Sequence, residues 1–235
     1  MIVIDDEAWL FGGKNDARAI VDSTVWKYTF SNNQWETVTT TLTPEGRYGH
    51  SLIAIGNKFY MYGGKKDDDN VYRDLWEFDT TDGDGEWNQL STSASPGRRY
   101  HHVTVTNGTD KFWITGGLHI DGTETESDDL WEYDINDEKW DQKDDGPTII
   151  KAAAILEEDR DDIELFIFGG EEDGDIKGST WKYDSTDDES DDDDDDDDDG
   201  GSHSISCGAT GLEIFIFLSI LFLIKIYRTN KNYDF

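Results

Sequence analysis

Cysteine is nearly absent. The one thiol, Cys207, lies beyond the repeated part of the chain, so neither an intrachain disulfide nor a multi-cysteine zinc site can form. Proline and methionine are scarce too, with three and two copies in 235 residues. Rings must therefore build the core. Nine Trp, ten Tyr and eleven Phe supply them, a composition that favours strands over helices. Bases are few, 20 Lys and Arg against 54 Asp and Glu, for a formal charge of −34. This balance argues against binding nucleic acid or anionic lipid, both of which are held by clustered cations. The acidity is not confined to a tail, because acids outnumber bases more than two to one over residues 1–185. The N-terminus, Met1-Ile-Val-Ile-Asp-Asp, shows no basic and no long apolar region of a secretory signal.

What the chain does have is a repeat. Glycine pairs close short aromatic runs at Gly12-Gly13, Gly63-Gly64, Gly116-Gly117 and Gly169-Gly170, spaced by 51, 53 and 53 residues. A tryptophan in a strand-like run follows each pair, at Trp26, Trp76, Trp131 and Trp181, and a second follows at Trp35, Trp87 and Trp140. Two pairs are preceded by matching lead-ins, Pro44-Glu-Gly-Arg47-Tyr48-Gly-His50 and Pro96-Gly-Arg-Arg99-Tyr100-His-His102. The segment Ser51-Leu-Ile-Ala-Ile-Gly-Asn-Lys-Phe-Tyr-Met-Tyr reads as two apolar strands joined by a Gly-Asn turn, and Asn107-Gly108 repeats that design. Runs such as Phe112-Trp-Ile-Thr, without strict alternation, suit inner strands covered on both faces.

Over residues 1–184 this pattern resembles the kelch motif, with its Arg/His lead-in strand, diglycine and two spaced aromatics. The resemblance implies an all-β fold, a β-propeller of four-stranded antiparallel blades around a channel. The repeats amount to about three and a half blades. Met1 falls inside an inner strand, the third lead-in, Pro147-Thr-Ile-Ile-Lys-Ala-Ala, has no Arg or His, and the last repeat ends after its third strand at Asp184. A partial ring is expected to be a fragment of a longer one, or to assemble with identical chains through its open blade edges.

Recurrence at equivalent places makes Trp26, Trp76, Trp131 and Trp181 packing residues between blades, and makes Arg47, Arg99, His50 and His102 structural. Polar stretches at 14–22, 65–73, 118–128 and 171–178 read as exposed loops. Such loops are where propeller proteins dock other proteins, and Asp67, Asp68 and Asp69 are the candidate partner-binding loop. No catalytic, cofactor or metal site is expected. The oxidases of kelch architecture need a cysteine joined to a tyrosine beside copper, which Cys207 is misplaced to supply. The runner-up reading is a fragment of such an enzyme with its active site on absent blades. A third is a loose Ca2+-binding acidic surface, although the carboxylates around Asp79, Asp82 and Asp84 do not fit an EF-hand.

Residues 186–207 read as an acidic disordered linker containing nine consecutive aspartates at 191–199. Residues 208–227 are long and apolar enough for one transmembrane helix, with a short basic and polar tail at 228–235. The expectation is a single-pass membrane protein that acts as a protein-binding scaffold. The side of the membrane on which the propeller lies is open, and glycosylation at Asn107-Gly-Thr depends on it.

Overall fold

The computed structural model describes residues 1–14, 22–81, 85–90, 94–121, 123–159, 162–185 and 204–205. Four antiparallel sheets follow one another along the chain, each with its strands in sequence order. Blade 1 is Ile2–Ile4, Glu7–Phe11, Val25–Thr29 and Gln34–Val38, and blade 2 is Ser51–Ile55, Lys58–Tyr62, Leu75–Asp79 and Glu86–Leu90. Blade 3 is Val103–Thr106, Lys111–Thr115, Asp129–Asp134 and Lys139–Asp145. Blade 4 is Ala153–Asp159, Asp162–Phe168 and Thr180–Asp184, completed by Ser204–Ile205. The backbone of Ser204–Ile205 pairs with Thr180 and Trp181. The fourth sheet therefore does not stop at Asp184 as expected. Its outer strand comes from inside the 186–207 segment read as linker, and the rest of that segment, like 208–227 and 228–235, lies outside the described residues. Among the described residues no helix is long and apolar enough to cross a membrane.

Second strands are buried on both faces, which explains their unbroken apolar runs. Phe59, Tyr60, Met61 and Tyr62 are all buried, and so are Phe112, Trp113 and Ile114. Most rings pack at an angle to their neighbours, and a few stack flat. Within blade 2 the Phe59 and Phe78 centroids stack 4.7 Å apart, and Trp87 stands edge-on to Phe59 at 5.3 Å and to Phe78 at 4.9 Å. Each such pair adds roughly 0.5–1.5 kcal/mol beyond its buried area. Three clusters arise, between blades 1 and 2, 2 and 3, and 3 and 4.

The tryptophans divide by position. Trp76, Trp87 and Trp140 are buried between blades, and Trp131 and Trp181 are half-buried. Trp26 on blade 1 is 36% exposed, against the expectation of inter-blade packing, and Trp35 beside it is 48% exposed, because among the described residues no blade lies on that side of them. Two stretches read as loops contain strands of their own. Leu118–Asp121 and Thr123–Glu126 form a hairpin that joins Arg99–Tyr100, and Glu171–Glu172 pairs with Asp175–Ile176.

The diglycines lock one blade to the next. Gly63 has φ +62°, and a Cβ there would stand 2.5 Å from the Arg99 carbonyl oxygen, so both the backbone angle and the close approach require glycine. That same carbonyl accepts a hydrogen bond from the Gly64 N–H at 2.8 Å, and the Arg47 and Ile149 carbonyls accept equivalent bonds from Gly13 and Gly117.

The arginines continue each lock with their side chains. Arg47, whose carbonyl holds blade 1, donates to the Gly63 carbonyl (3.0 Å) and bidentately to Asp74 (2.5 and 2.9 Å) in blade 2. Arg99, whose carbonyl holds blade 2, donates to the Gly116 carbonyl (3.1 Å) and to both oxygens of Asp129 (2.6 Å each) in blade 3. The carboxylates also accept from the first tryptophans, Trp76 Nε1 to Asp74 at 2.6 Å and Trp131 Nε1 to Asp129 at 2.7 Å. Both guanidiniums are fully buried, where such a charge is tolerated only when paired. At the blade 3–4 lock, arginine gives way to buried Ile149, and the serine at Ser179 stands where Asp74 and Asp129 stand in their repeats. Both partners change together.

His50 and His102 complete the locks. The His50 ring meets Phe11 of blade 1 edge-on at 5.9 Å, His102 meets Tyr62 of blade 2 at 5.8 Å, and His102 Nε2 is 2.8 Å from the Ser51 hydroxyl. Burial, reinforced by the Arg47 charge, lowers the His50 pKa from 6.5 to about 3, and burial with Arg99 holds His102 well below its usual value. The unfolded chain takes up these protons from about pH 6.5 downward, whereas folded His50 does so only near 3. Stability is thus full above pH 6.5 and falls as pH drops through that window, at about 1.4 kcal/mol per pH unit for each histidine. Urea unfolding at pH 7.0, 6.0 and 5.0, above most carboxylate titration, should show that decline, and His50→Gln should reduce its slope by about half, His102 supplying the rest.

Candidate functional site

The loops after the diglycines and the lead-ins to the first strands share one face of the blades. Their contacts are built around alternating cations and rings. Lys65 exchanges both backbone hydrogen bonds with Tyr48 at 2.9 Å, which fixes its direction. Its Nζ donates to the Tyr100 hydroxyl (3.1 Å) and Asp68 (3.2 Å) and lies 4.2 Å from the Tyr100 ring centroid. Tyr100 in turn donates to Glu124 at 2.6 Å, carrying the chain of contacts from the blade 2 loop to the blade 3 hairpin. Burial alone would lower the Lys65 pKa, but Tyr100 and Asp68 outweigh it and raise it. One repeat earlier Lys14 sits 4.5 Å over Tyr48. One repeat later Leu118 and Ile150 occupy the corresponding places, again a joint replacement of both partners.

Around this rim the loops hold one another. Tyr72 donates to Glu45 at 2.7 Å under the Arg47 guanidinium, 4.0 Å from its ring, and burial together with Glu45 pushes the phenol up to about 12. Glu126 accepts from the Asp173 N–H at 3.1 and 3.2 Å, tying the hairpins of blades 3 and 4. Inside the rim, His101 N–H donates to the Gly49 carbonyl (2.7 Å) and Lys151 N–H to the His101 carbonyl (2.9 Å), a backbone thread across three successive lead-ins. All three residues have positive φ, 67°, 60° and 57°.

The predicted partner loop separates into roles. Asp67 caps its own turn, accepting from the N–H groups of Asp69 (3.1 Å) and Asn70 (3.0 Å) and from Asn70 Nδ2 (2.6 Å), and these contacts lower its pKa. Asp68 has a side chain 98% exposed and steadies Lys65 from outside. Asp69 is exposed on the same turn. The face carries exposed carboxylates on braced loops. Among the described residues no three His, Cys, Asp or Glu stand together as a metal site. Asp79 accepts from Thr81 at 2.9 Å, while Asp82 and Asp84 lie outside the described residues. Asn107 holds a turn, its Oδ1 accepting from three backbone N–H groups and its Nδ2 donating to Asp110 at 2.9 Å, so the amide that would carry a glycan is engaged.

Sequence reasoning missed Asp74, Asp129 and the Lys65–Tyr100–Glu124 relay. A signal was present: Asp-Leu-Trp follows the diglycine only in the two repeats whose lead-ins carry arginine.

Successive four-stranded blades, locked through diglycines and joined by variable loops on one face, define a repeat protein of the β-propeller class. The family follows from the repeat itself: residues 1–191 match the KLHDC2/KLHL20/DRC7 Kelch-repeats domain, and the chain belongs to the kelch-repeat family. It is 28% identical to tip elongation aberrant protein 3 of Schizosaccharomyces pombe over 57% of this chain and 14% of that protein. It is 27% identical to kelch domain-containing protein 3 of Bos taurus over 49% of this chain and 30% of that protein. The match thus spans under a third of either relative. The solved structure of YjhT superposes with a TM-score of 0.62 at 17% identity, over 77% of this chain and 64% of that one, a likeness of fold.

Proposed function

We propose that this chain is a non-catalytic scaffold, anchored in a membrane by residues 208–227, whose kelch blades bind a basic protein surface through the acidic loop face. The observation that carries the binding reading is how the ionisable groups are used. Arg47, Arg99, His50 and His102 are spent on holding blades together, while Asp68 and Asp69 are left outermost on a turn that Asp67 and Asn70 brace. Kelch repeats commonly mediate protein–protein contacts, which agrees with this use. The anchor rests on the apolar sequence of 208–227 beyond the aspartate run.

Affinity capture from cells with the full chain, followed by titration of the purified partner, tests the face. Asp68→Lys with Asp69→Lys should weaken binding about tenfold and flatten its salt dependence, since charges at the edge of an interface steer and select. Asp137→Lys, in the exposed third-to-fourth-strand turn of the opposite face, should change neither. Equal losses from both changes would remove the loop face from consideration. Alkaline carbonate extraction tests the anchor: the full chain should stay with membranes, and a chain lacking 208–235 should be released.

A further inference from the structure

The contacts between blades 1 and 2 and between blades 2 and 3 follow one rule, in which a ring pair on the second strand of one blade is presented to rings on the next. Blade 3 instead presents Trp113 and Thr115 to an aliphatic cluster of blade 4. Trp9 and Phe11 of blade 1 meet Phe78 and Trp87 of blade 2 at 5.3 and 5.2 Å. Tyr60 and Tyr62, one repeat on, meet Phe112 and Trp140 of blade 3 at 5.8 and 5.3 Å. The receiving rings Phe78, Trp87, Phe112 and Trp140, with Tyr133 packed on the last two, are at most 2% exposed as a result.

Among the described residues, both halves of one further contact stand open. In register with Phe78–Trp87 and Tyr133–Trp140, blade 1 carries Tyr28 and Trp35, already packed together at 5.1 Å, much as the buried pairs are at 4.9 Å. Yet Trp35 is 48% exposed, and Phe30 and Trp26 beside it are 46% and 36% exposed. At the other end, in register with Trp9 and Phe11, blade 4 carries half-buried Phe166 and Phe168. The likeness extends to the cation: Lys182 lies 5.8 Å over Phe166 as Lys27 lies 5.5 Å over Trp9.

We propose that these faces are partners, and that a second copy of this chain joins them, Phe166 and Phe168 of one copy packing on Tyr28 and Trp35 of the other. The contact uses different surfaces on the two copies, so it is head-to-tail, and such contacts either close into rings or run on. Four blades in each copy make eight around one axis when two copies close, within the four to eight of known propellers. The occupant is set by register, because both covered faces of this kind among the described residues are covered by a ring pair of the type blade 4 presents.

Sedimentation of the full chain in density-matched detergent reads the result. The expected protein mass is two chains of 26.7 kDa. Trp35→Glu and Phe168→Glu should each shift it to one chain. Trp35→Glu combined with Phe168→Lys should restore two, a rescue that a merely misfolded variant cannot give. A wild-type chain that sediments singly overturns the proposal. So does pairing that appears only after residues 208–235 are removed, which would show the chain's own apolar segment on this face, and so does pairing that survives Trp35→Glu.

Discussion

Replacing Arg99 by Ile should destabilise the blades by about 3–5 kcal/mol, and adding Asp129→Ser should return most of that loss. The single change removes a fully buried guanidinium and leaves Asp129, a largely buried carboxylate, with its strongest partner gone. It also strips donors from the Pro96 and Gly116 carbonyls. Burial works to raise the Asp129 pKa, and the Arg99 contact outweighs it and holds the group low, so the stability it confers is present above the ordinary carboxylate range and lost as pH falls through its folded value. The double change recreates what the chain uses at its third lock, Ile149 with Ser179. Urea midpoints of the two single variants and the double form a mutant cycle with a coupling energy of a few kcal/mol. Additive losses would show that the pair is not a unit.

The second large effect is expected at Gly63. Gly63→Ala places a side chain at φ +62°, costing about 1–2 kcal/mol for the backbone alone. It further drives a Cβ onto the Arg99 carbonyl, which cannot retreat without breaking its bond from Gly64. Gly108→Ala is the control, because φ is +79° there and nothing lies within 4 Å of an added Cβ. A thermal midpoint several degrees lower for Gly63→Ala than for Gly108→Ala is the expected result, and equal shifts would reduce the diglycine to a turn.

Much of this architecture is legible in the sequence. The glycine spacing marked the blades, and the unbroken apolar second strands marked burial on both faces. Legibility failed where a residue's role depends on a partner far along the chain. Arg47 and Asp74 are 27 residues apart, and a buried arginine reads in sequence like any surface cation. The exposure of Trp26 and Trp35 was illegible for a related reason, since the same motif is core or surface according to whether a neighbouring blade covers it. Ser204–Ile205 is too short and too remote, beyond nine aspartates, for local pattern to pair it with Thr180 and Trp181. At the candidate site the aspartate run of the 65–73 loop is visible in the sequence, but the division of labour among Asp67, Asp68 and Asp69 is not, because it is set by hydrogen bonds within one turn.

The central claim is that the diglycine-side loops are the working surface and the buried charges are structural. Hydrogen exchange of the full chain with and without its captured partner tests it most directly. Protection should concentrate at the backbone amides of Lys66 to Tyr72, of the hairpin Leu118–Asp121 with Thr123–Glu126, and of Glu171–Glu172 with Asp175–Ile176, while the turns at Asn57 and Asn107 exchange as before. Protection centred on those opposite turns, with the diglycine-side loops unchanged, would contradict the account.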